Sequence, residues 1–476
     1  MLLGSINSGG ELQLFSSGVI GELIRRKMLE TAHKVIGKLT VYDAWQRFQF
    51  LSQSQWWSRE KLEEYQWKKL KETLTHAYEN IPFYYEWWER HKVHPGDIKE
   101  PGDMRRIPII GRDEIDRGEC IARRNVYKKG MSIVTTSGST GKPFSVYIDL
   151  PAYQTKYALW LREFSCANFT LGKRAVSFWH RSYRGYSREE PHPLIRDVVW
   201  GMLSKMIFPP LPTACNTTVN LEQGLLFYER LKNFQPFLIE SLYYFILILT
   251  HFILDNHLEP IPLSKMFMHG LPSKREREKI EKVFPGVEIY NRYSSHEFEG
   301  IACECSEHLG MHISIDSYFV EFVREDGAPA STGEIARVII TDLDNKAMPL
   351  IRYEIRDMGR YFDKSCSCGR GLPLMSGLAG RKDEYILSAD NKKFYFSFFH
   401  HFFDRYEEVR YFQVHQNGRD GVEVWIVKEY EIDENVLSKK ISEELLKHLN
   451  VNVTIKYVNE LSEEKNGKIV PIKRVE

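Results

Sequence analysis

The sequence predicts an α/β protein with a large, multi-layered N-terminal domain and a small α+β domain at the C-terminus. Short β-branched or apolar runs alternate with helical stretches between about residues 130 and 380, as expected for an α/β domain. The residues before 100 have a mainly helical pattern, and the pattern changes again after Arg381. At 476 residues the chain is too long for one compact core, so we expect several domains.

The first 100 residues are expected to be mainly helical. Apolar and aromatic residues recur every three or four positions between residues 59 and 91, with charged residues between them. Pro82 interrupts this pattern, and the Pro95-Gly96 pair ends it. We assign this segment to the N-terminal domain, which we expect to extend to residue 380.

The middle of the chain contains the expected strand and helix alternation. Strand candidates are SIVTTSG, KRAVSFW, PFLIES, VEIYNRY and GEIARVIITD, and helix candidates are LEQGLLFYERLKNF and KREREKIEKVF. Residues 237–254 form a long apolar run, but it contains Glu240 and His251. A charged group at the centre of a bilayer costs ~2.5 kcal/mol or more. We therefore predict a buried helix there and no transmembrane segment.

After Arg381 the pattern predicts a separate α+β domain over residues 381–476. Its strand candidates are YILSA, YFQVHQ, VEVWIVK and VNVTIKYV, and its helices lie near FSFFHHFFDRY and NVLSKKISEELLKHL. These elements are enough for an independent core of usual domain size.

Composition narrows the class of protein. The formal net charge is +1, so no global field would attract nucleic acid or an anionic membrane. The first residues lack the pattern of a signal peptide. Seven cysteines is an odd and low number for this length, which favours a reduced compartment over a disulfide framework. We expect a cytoplasmic protein that does not bind nucleic acid.

The strongest local motif is a loop rich in hydroxyl groups and glycine, TTSGSTGKP, at residues 135–143. Backbone N–H groups, hydroxyl groups and a lysine of this kind can surround a polyphosphate. Only two residues separate its glycines and Pro143 follows the lysine, so it is not a Walker P-loop. A flexible surface loop is the alternative. The candidate phosphate-binding residues are Thr136, Ser137, Gly138, Ser139, Thr140, Gly141 and Lys142.

Five segments together resemble the adenylate-forming superfamily, in its order along the chain. TTSGSTGKP resembles the phosphate loop, and YSSHE at 293–297 resembles the Tyr-Gly-x-Thr-Glu motif. PLIRYEIRD at 349–357 resembles the Arg-Tyr-x-x-Gly-Asp segment, GRKD at 380–383 the hinge, and NGK at 466–468 the C-terminal lysine motif. The N-terminal LKETLTHAYENIPFYYEWWERH, ECSEHLGMHISID and CSCGRGLP are similar to the phenylacetate–CoA ligase and CapK-type branch. The likeness covers nearly the whole chain from about residue 65.

The resemblance implies a nucleotide site and an acid-activating reaction. It places Tyr293 against adenine, Asn291 and the segment around Gly270 beside it, Asp357 on the ribose hydroxyl groups, and Arg381 on ribose and phosphate oxygens. A core tyrosine is the alternative for Tyr293. Glu297 would hold Mg²⁺, for which one or two carboxylates are usual; a solvated glutamate is the alternative.

The C-terminal domain would act as a mobile lid. It would turn about Asp383 between two half-reactions. Lys468 would stabilise charge as the acid attacks the α-phosphate; a solvated tail lysine is the alternative.

The motifs depart from the superfamily pattern at several positions. His296 replaces a hydroxyl residue that contacts phosphate or metal, so we include it among the catalytic candidates. Ser294 replaces one glycine, and Arg356 replaces the glycine before Asp357. The segment from Met268 to Ser273 lacks an acidic residue found in many relatives. These departures allow a degenerate or specialised enzyme.

Two Cys-x-Cys pairs form a second signal. They are Cys303 with Cys305 and Cys366 with Cys368, and His308 and His312 follow the first pair. Structural zinc sites use four thiolate or imidazole ligands, whereas reduced cysteines in a core or turn are the alternative. In the branch that the chain resembles, the matching positions are Cys305, His312, Cys366 and Cys368.

The sequence leaves the acid undetermined. Residues 177–183 and 240–245 lie where relatives build the acyl pocket, although aromatic residues in such runs are more often plain core.

We predict an AMP-forming ligase that uses ATP and Mg²⁺ to activate a carboxylic acid. The acyl group would pass to CoA or to an amine or hydroxyl group of a sugar, with a role in surface polysaccharide synthesis. A non-catalytic nucleotide-binding or scaffold protein that kept the fold is the alternative.

Overall fold

The computed structural model describes most of the chain. The described residues are Lys27, Thr31 and the ranges 44–116, 132–136, 144–170, 173–178, 219–419, 421–462 and 469–475.

The N-terminal helices follow the predicted periodicity. They are α1 (Ala44–Ser54), α2 (Arg59–Asn80), α3 (Pro82–Arg90) and the short α4 (Arg112–Asp116). The Ser58 hydroxyl group accepts a hydrogen bond from the Lys61 amide and caps α2. Pro82 occupies the first turn of α3, where its missing N–H is tolerated, so the chain bends at Ile81 as the sequence predicts. Two 3₁₀ turns, Pro95–Asp97 and Pro101–Arg106, follow α3.

An eight-stranded mixed sheet forms the centre of the N-terminal domain. The strand order is β12-β13-β8-β7-β6-β5-β4-β3, and the four strands from β3 to β6 are parallel. Its strands are β3 (Ala175–Ser177), β4 (Leu238–Leu242), β5 (Lys265–His269), β6 (Glu288–Tyr293), β7 (Ala302–Glu304), β8 (Met311–Ile313), β12 (Tyr361–Phe362) and β13 (Leu374–Met375). The carboxyl ends of β5 and β6 therefore open at one edge, the usual position of a ligand site in parallel sheets.

Helices pack against this sheet. They are α5 (Leu150–Cys166), α6 (Leu221–Phe234), α7 (Tyr243–Asp255) and α8 (Lys274–Val283). The apolar run at 237–254 is part strand and part helix, because β4 ends at Leu242 and α7 begins at Tyr243. The prediction of one buried helix there was wrong for residues 238–242, which form a strand. Among the described residues, no helix combines the length and apolar character needed to cross a membrane.

Two smaller sheets complete the N-terminal domain. The strands β1 (Ser132–Thr136) and β2 (Phe144–Ile148) form an antiparallel hairpin. A four-stranded sheet has the order β14-β11-β10-β9. Its strands are β9 (Tyr318–Val323), β10 (Ala336–Asp342), β11 (Tyr353–Gly359) and β14 (Gly380–Arg381). The pairing of β10 with β11 shifts between Arg337 and Ile339, which leaves residues 355–357 as a bulge.

After β14 the chain forms a separate C-terminal module with its own core. It contains the hairpin β15 (Tyr385–Leu387) and β16 (Lys393–Tyr395), helices α9 (Phe396–Phe403) and α10 (Glu434–Leu449), and a four-stranded sheet. The sheet order is β19-β18-β17-β20, with strands β17 (Val409–Asn417), β18 (Gly421–Lys428), β19 (Asn452–Tyr457) and β20 (Ile472–Val475). The predicted α/β class with a smaller C-terminal α+β unit is confirmed.

The face between the module and the N-terminal domain is rich in charged and polar contacts. The Nε2 atom of His400 lies 2.9 Å from Glu276 Oε2 and 3.1 Å from the Tyr243 hydroxyl oxygen. Lys279 pairs with Glu429 at 2.7 Å. These contacts join α9 and the end of β18 to α7 and α8, so the module is docked on the N-terminal domain through specific partners.

A buried charge network lies beneath the sheet. The Arg292 guanidinium group contacts the carboxylates of Glu163 at 2.6 Å, of Glu240 and of Glu299. The side chains of Arg292, Glu163 and Glu240 are each under 5% exposed. Burial raises the pKa of Glu163 to about 8, against an ordinary value near 4.5. One arginine cannot balance three carboxylates at low dielectric, so Glu163 holds a proton near neutral pH.

We expect stability to fall as the pH rises towards 8 because of Glu163. Above pH 4.5 the unfolded chain releases a proton that the native state keeps, so each pH unit costs up to roughly 1.4 kcal/mol until the pKa near 8 is passed. Glu163→Gln should flatten this dependence in urea unfolding measured at pH 6 and pH 8.5. Glu63→Gln, at a 58% exposed position of α2, is the matched control. An unchanged slope in Glu163→Gln contradicts the assignment.

Candidate nucleotide and acid-activation site

The Tyr353 ring joins three of the predicted motifs. It stacks on Phe144, with centroids 6.2 Å apart, and its centroid lies 5.9 Å from that of Phe298. Phe144 follows the candidate phosphate loop, Phe298 follows YSSHE, and Tyr353 belongs to the Arg-Tyr segment. All three rings are buried. The motifs therefore meet in space although Phe144 and Tyr353 are more than 200 residues apart in sequence.

The predicted ribose and adenine residues lie together. The Tyr293 hydroxyl group donates to Asp357 Oδ2 at 2.8 Å, and Arg381 Nε lies 3.7 Å from Asp357 Oδ1. Strand pairing sets this contact, because Asp357 of β11 is directly opposite Arg381 of β14. Burial and the neighbouring Asp357 carboxylate raise the pKa of Tyr293, so its hydroxyl group stays protonated and donates.

Asn291 and Gly270 meet at the ends of β6 and β5. The Gly270 amide donates to Asn291 Oδ1 at 3.1 Å. Gly270 has a φ of 107°, a backbone conformation that favours glycine. Asn291 is thus fixed in orientation next to the predicted adenine position, two residues before Tyr293.

The turn after β6 carries Glu297 and His296. Glu297 is half-buried, and among the described residues its carboxylate has no hydrogen-bonding or ion-pair partner. Burial lowers the pKa of His296, so its imidazole is neutral at neutral pH. A half-buried carboxylate that lacks a hydrogen-bonding or ion-pair partner in the described part of the chain suits a divalent cation that is shared with substrate phosphates.

Lys156 is a site residue that sequence reasoning missed. The ammonium group of this buried lysine of α5 donates a hydrogen bond to the backbone carbonyl of Glu297. Burial lowers the pKa of Lys156, although Asp342, Glu299 and Glu297 oppose the shift. Its helix looks amphipathic in sequence, and nothing there distinguishes Lys156 from a solvent-facing lysine.

Part of the predicted site lies outside the described residues. Thr136 ends β1 opposite Phe144 of β2, so the phosphate loop would connect this hairpin. The remaining loop residues, Ser137, Gly138, Ser139, Thr140, Gly141 and Lys142, are not described, and neither is Lys468. The residue after Lys468, Ile469, packs against the apolar cluster that α7 and α8 share with the C-terminal module.

Four predicted metal ligands form a cluster. One ligand atom from each of Cys305, His312, Cys366 and Cys368 lies within 4.8 Å of the others. Two of the separations are 3.7 Å, between the Sγ atoms of Cys305 and Cys366, and 3.4 Å, between Cys368 Sγ and His312 Nε2. Ligands around tetrahedral zinc lie about 3.5–3.8 Å apart, given Zn–S and Zn–N bonds of about 2.3 and 2.0 Å.

The surroundings of His312 also suit a metal. Its Nδ1 lies 3.3 Å from the carbonyl oxygen of Leu372, which leaves Nε2 towards Cys368. Burial lowers the pKa of His312 to about 4, so the imidazole is neutral. Cys303 and His308 are not in the cluster: Cys303 contacts the Glu304 carbonyl, and His308 lies near Glu304 and Glu288.

The predicted acyl-pocket segments are only partly described. Ser177 and Phe178 end the described part of the first segment, and residues 179–183 lie outside it. In the second, Glu240 belongs to the Arg292 network and Tyr243 contacts Glu276. Polar contacts thus account for Glu240 and Tyr243, and the described residues do not identify the acid.

The chain is similar in sequence and fold to several known proteins. Residues 386–475 match the CapK C-terminal domain family. The phenylacetate–coenzyme A ligase of Escherichia coli is 25% identical over 347 residues, covering 69% of this chain and 73% of the ligase. The phenylacetate–coenzyme A ligase of Thermus thermophilus is 26% identical over 362 residues, covering 69% and 72%.

A solved ligase shares the fold. A 2-hydroxyisobutyryl-CoA ligase in the post-adenylation state, in complex with R3-HIB-AMP, aligns at a TM-score of 0.71 and 14% identity, covering 89% of this chain and 91% of that one. The same ligase in the thioesterification state aligns at 0.55 and 16% identity, covering 87% and 90%. The chain is therefore similar to phenylacetate–CoA ligases over 69% of its length, and its residues 386–475 match the CapK C-terminal domain family.

Proposed function

We propose that this protein is an AMP-forming ligase that activates a carboxylic acid with ATP and passes the acyl group to an acceptor. The observation that carries the proposal is the convergence of Tyr293, Asp357 and Arg381 beside Glu297, held by the buried packing of Tyr353. Relatives named as acid–CoA ligases support CoA as the acceptor.

Each proposed nucleotide-binding residue would contact a different part of ATP. Tyr293 offers an aromatic face to adenine, and its hydroxyl group holds the Asp357 carboxylate in place. Asp357 accepts from the ribose hydroxyl groups, and Arg381 contributes a planar cation to ribose and phosphate oxygens. The pairing of β11 with β14 brings both charged residues to the same point, so the ribose contacts are preformed.

Acid activation needs charge stabilisation around the α-phosphate. An oxygen of the substrate carboxylate attacks the α-phosphorus, and the bond to pyrophosphate breaks. Mg²⁺ would be held by Glu297 and would neutralise phosphate charge. Lys156 fixes the backbone of Glu297, and neutral His296 can donate a hydrogen bond to phosphate. Lys468 would stabilise the charge that develops in the transition state.

The match to the CapK C-terminal domain family favours a role in surface polysaccharide synthesis. In that setting an amine or hydroxyl group of a sugar would replace CoA as the acceptor. The alternative, a non-catalytic protein that kept the fold, is favoured by His296 and Arg356, which depart from the superfamily motifs.

We expect ATP–pyrophosphate exchange that depends on Mg²⁺ and on an organic acid. The panel should include aryl, hydroxy, amino and sugar acids. Glu297→Gln should lose exchange by ~10²-fold or more, as for other groups that stabilise transition-state charge. Glu63→Gln, at a 58% exposed position of α2, is the control and should leave exchange unchanged. ATP binding without exchange for any acid would favour the non-catalytic alternative.

Lys468→Ala should lower adenylation by ~10²–10³-fold while leaving folding and ATP binding intact. The effect on transfer from a supplied acyl-adenylate should be much smaller, because the module would by then have turned the lysine away. The two half-reactions are measured separately by exchange and by thioester formation from the adenylate. Normal adenylation would identify Lys468 as ordinary surface charge, and equal loss of both half-reactions would indicate a misfolded module.

We further propose that Cys305, His312, Cys366 and Cys368 hold a structural zinc ion. The site would fasten β8 and the turn before it to the loop after β12, two segments about 60 residues apart. The ligand separations and the orientation of His312 support this proposal.

Purified protein should contain about one zinc ion per chain, and chelation should lower its melting temperature. Cys368→Ser should lose both the metal and the sensitivity to chelator. Cys166→Ser is the control, since Cys166 lies near the cluster but is not a ligand. Metal-free protein with reactive thiols at Cys305, Cys366 and Cys368 would contradict the proposal.

A further inference from the structure

Arg356 occupies a strained position next to the proposed ribose carboxylate. Its φ is 70°, in the left-handed region that favours glycine, and it lies in the bulge of β11 immediately before Asp357. The superfamily motif has glycine here. A side chain that persists in such a conformation is held by surrounding contacts, and it often has a function.

The contacts of Arg356 lead to the segment where the chain leaves the N-terminal domain. Its Nε donates to Asp383 Oδ2 at 2.7 Å, and a terminal nitrogen lies 2.5 Å from the same oxygen. The Lys382 amide donates to the Arg356 carbonyl at 2.7 Å. Lys382 also contacts both carboxylate oxygens of Glu354, at 3.0 and 2.9 Å. Residues 382–383 are therefore bound to β11 through backbone and side chains.

These two residues connect the two parts of the protein. They follow β14, the last strand of the N-terminal sheet, and precede β15 of the C-terminal module. Any rotation of the module has to change backbone angles in this short segment. The contacts of Arg356 therefore act at the pivot, whereas the pairs formed by His400 and Lys279 act at the docked face.

We propose that Arg356 is a positioning residue that clamps Asp383 and restrains rotation of the C-terminal module from its docked position. The effect on the two half-reactions rests on the proposed function, whereas the restraint on the module does not. The arginine and aspartate side chains are 42% and 50% exposed, so the pair is weak and screened by salt. It should shift the module's equilibrium only by about two- to fivefold, which suits a restraint released in every catalytic cycle.

Arg356→Gly is a suitable test because glycine relieves the backbone strain and the variant should fold. Hydrogen–deuterium exchange of the peptide spanning residues 377–387 reports the Lys382 amide directly, without substrate. We expect about two- to fivefold faster exchange in Arg356→Gly than in the wild type. Raising the NaCl concentration from roughly 0.05 to 0.5 M should speed exchange in the wild type but much less in the variant.

Two further variants distinguish loss of the Arg356–Asp383 contact from a general increase in backbone mobility. Arg356→Lys keeps the charge without the planar fork and should fall between the wild type and Arg356→Gly. Arg324→Ala breaks another exposed arginine–aspartate pair, with side chains 43% and 64% exposed, in the β9–β10 connection. It should leave exchange at 377–387 unchanged. Equal exchange in the wild type and Arg356→Gly, or an equal increase in Arg324→Ala, overturns the proposal.

The half-reactions supply the catalytic readout. If an acid supports ATP–pyrophosphate exchange, Arg356→Gly should speed thioester formation from a supplied acyl-adenylate relative to adenylation. An unchanged ratio of the two half-reactions, with faster hydrogen exchange, would overturn the catalytic part alone. If no acid is activated, the proposed function fails. The salt dependence of hydrogen–deuterium exchange at residues 377–387 still decides whether Arg356 restrains Asp383.

Discussion

The buried packing of Tyr353 between Phe144 and Phe298 is the contact on which the site depends. These rings belong to three segments that also carry the predicted phosphate loop, the Glu297 turn and Asp357, the proposed ribose carboxylate. Because the contact is apolar and buried, it needs no ligand to form. The polar residues around it are then oriented by local partners, as Asp357 is by the Tyr293 hydroxyl group. The site therefore combines a rigid aromatic centre with charged groups at its margin.

Sequence reasoning located the elements where periodicity was clear. The helix at Leu221–Phe234 follows its predicted segment because its apolar residues recur at helical spacing, and the strand at Glu288–Tyr293 lies within the predicted run VEIYNRY. At 237–254 the run is apolar throughout, so periodicity could not separate a buried strand from the helix that follows it. Tertiary burial decided the outcome, since β4 lies inside a parallel sheet.

The sequence predicted some residues of the candidate site and missed others. Motif resemblance identified Tyr293 and Asp357, and the structure brings them into contact. The cysteine and histidine cluster is also assembled as the resemblance implied. Lys156 could not be found, because a single lysine in an amphipathic helix has no distinctive local signal. Arg292 within a buried strand was a visible anomaly, but its three carboxylate partners come from separate segments and only the fold reveals them.

The ends of the central sheet have a consequence for how copies of this protein meet. Within the described residues, the eight-stranded sheet finishes in β12, with two residues, and in β3, with three. A strand that short presents too few free N–H and C=O groups to template an added strand from another chain. Edge-to-edge growth of this sheet is thereby discouraged at both described borders, although its interior strands are mostly buried. At high concentration, aggregation through this sheet would first require its outer strands to detach.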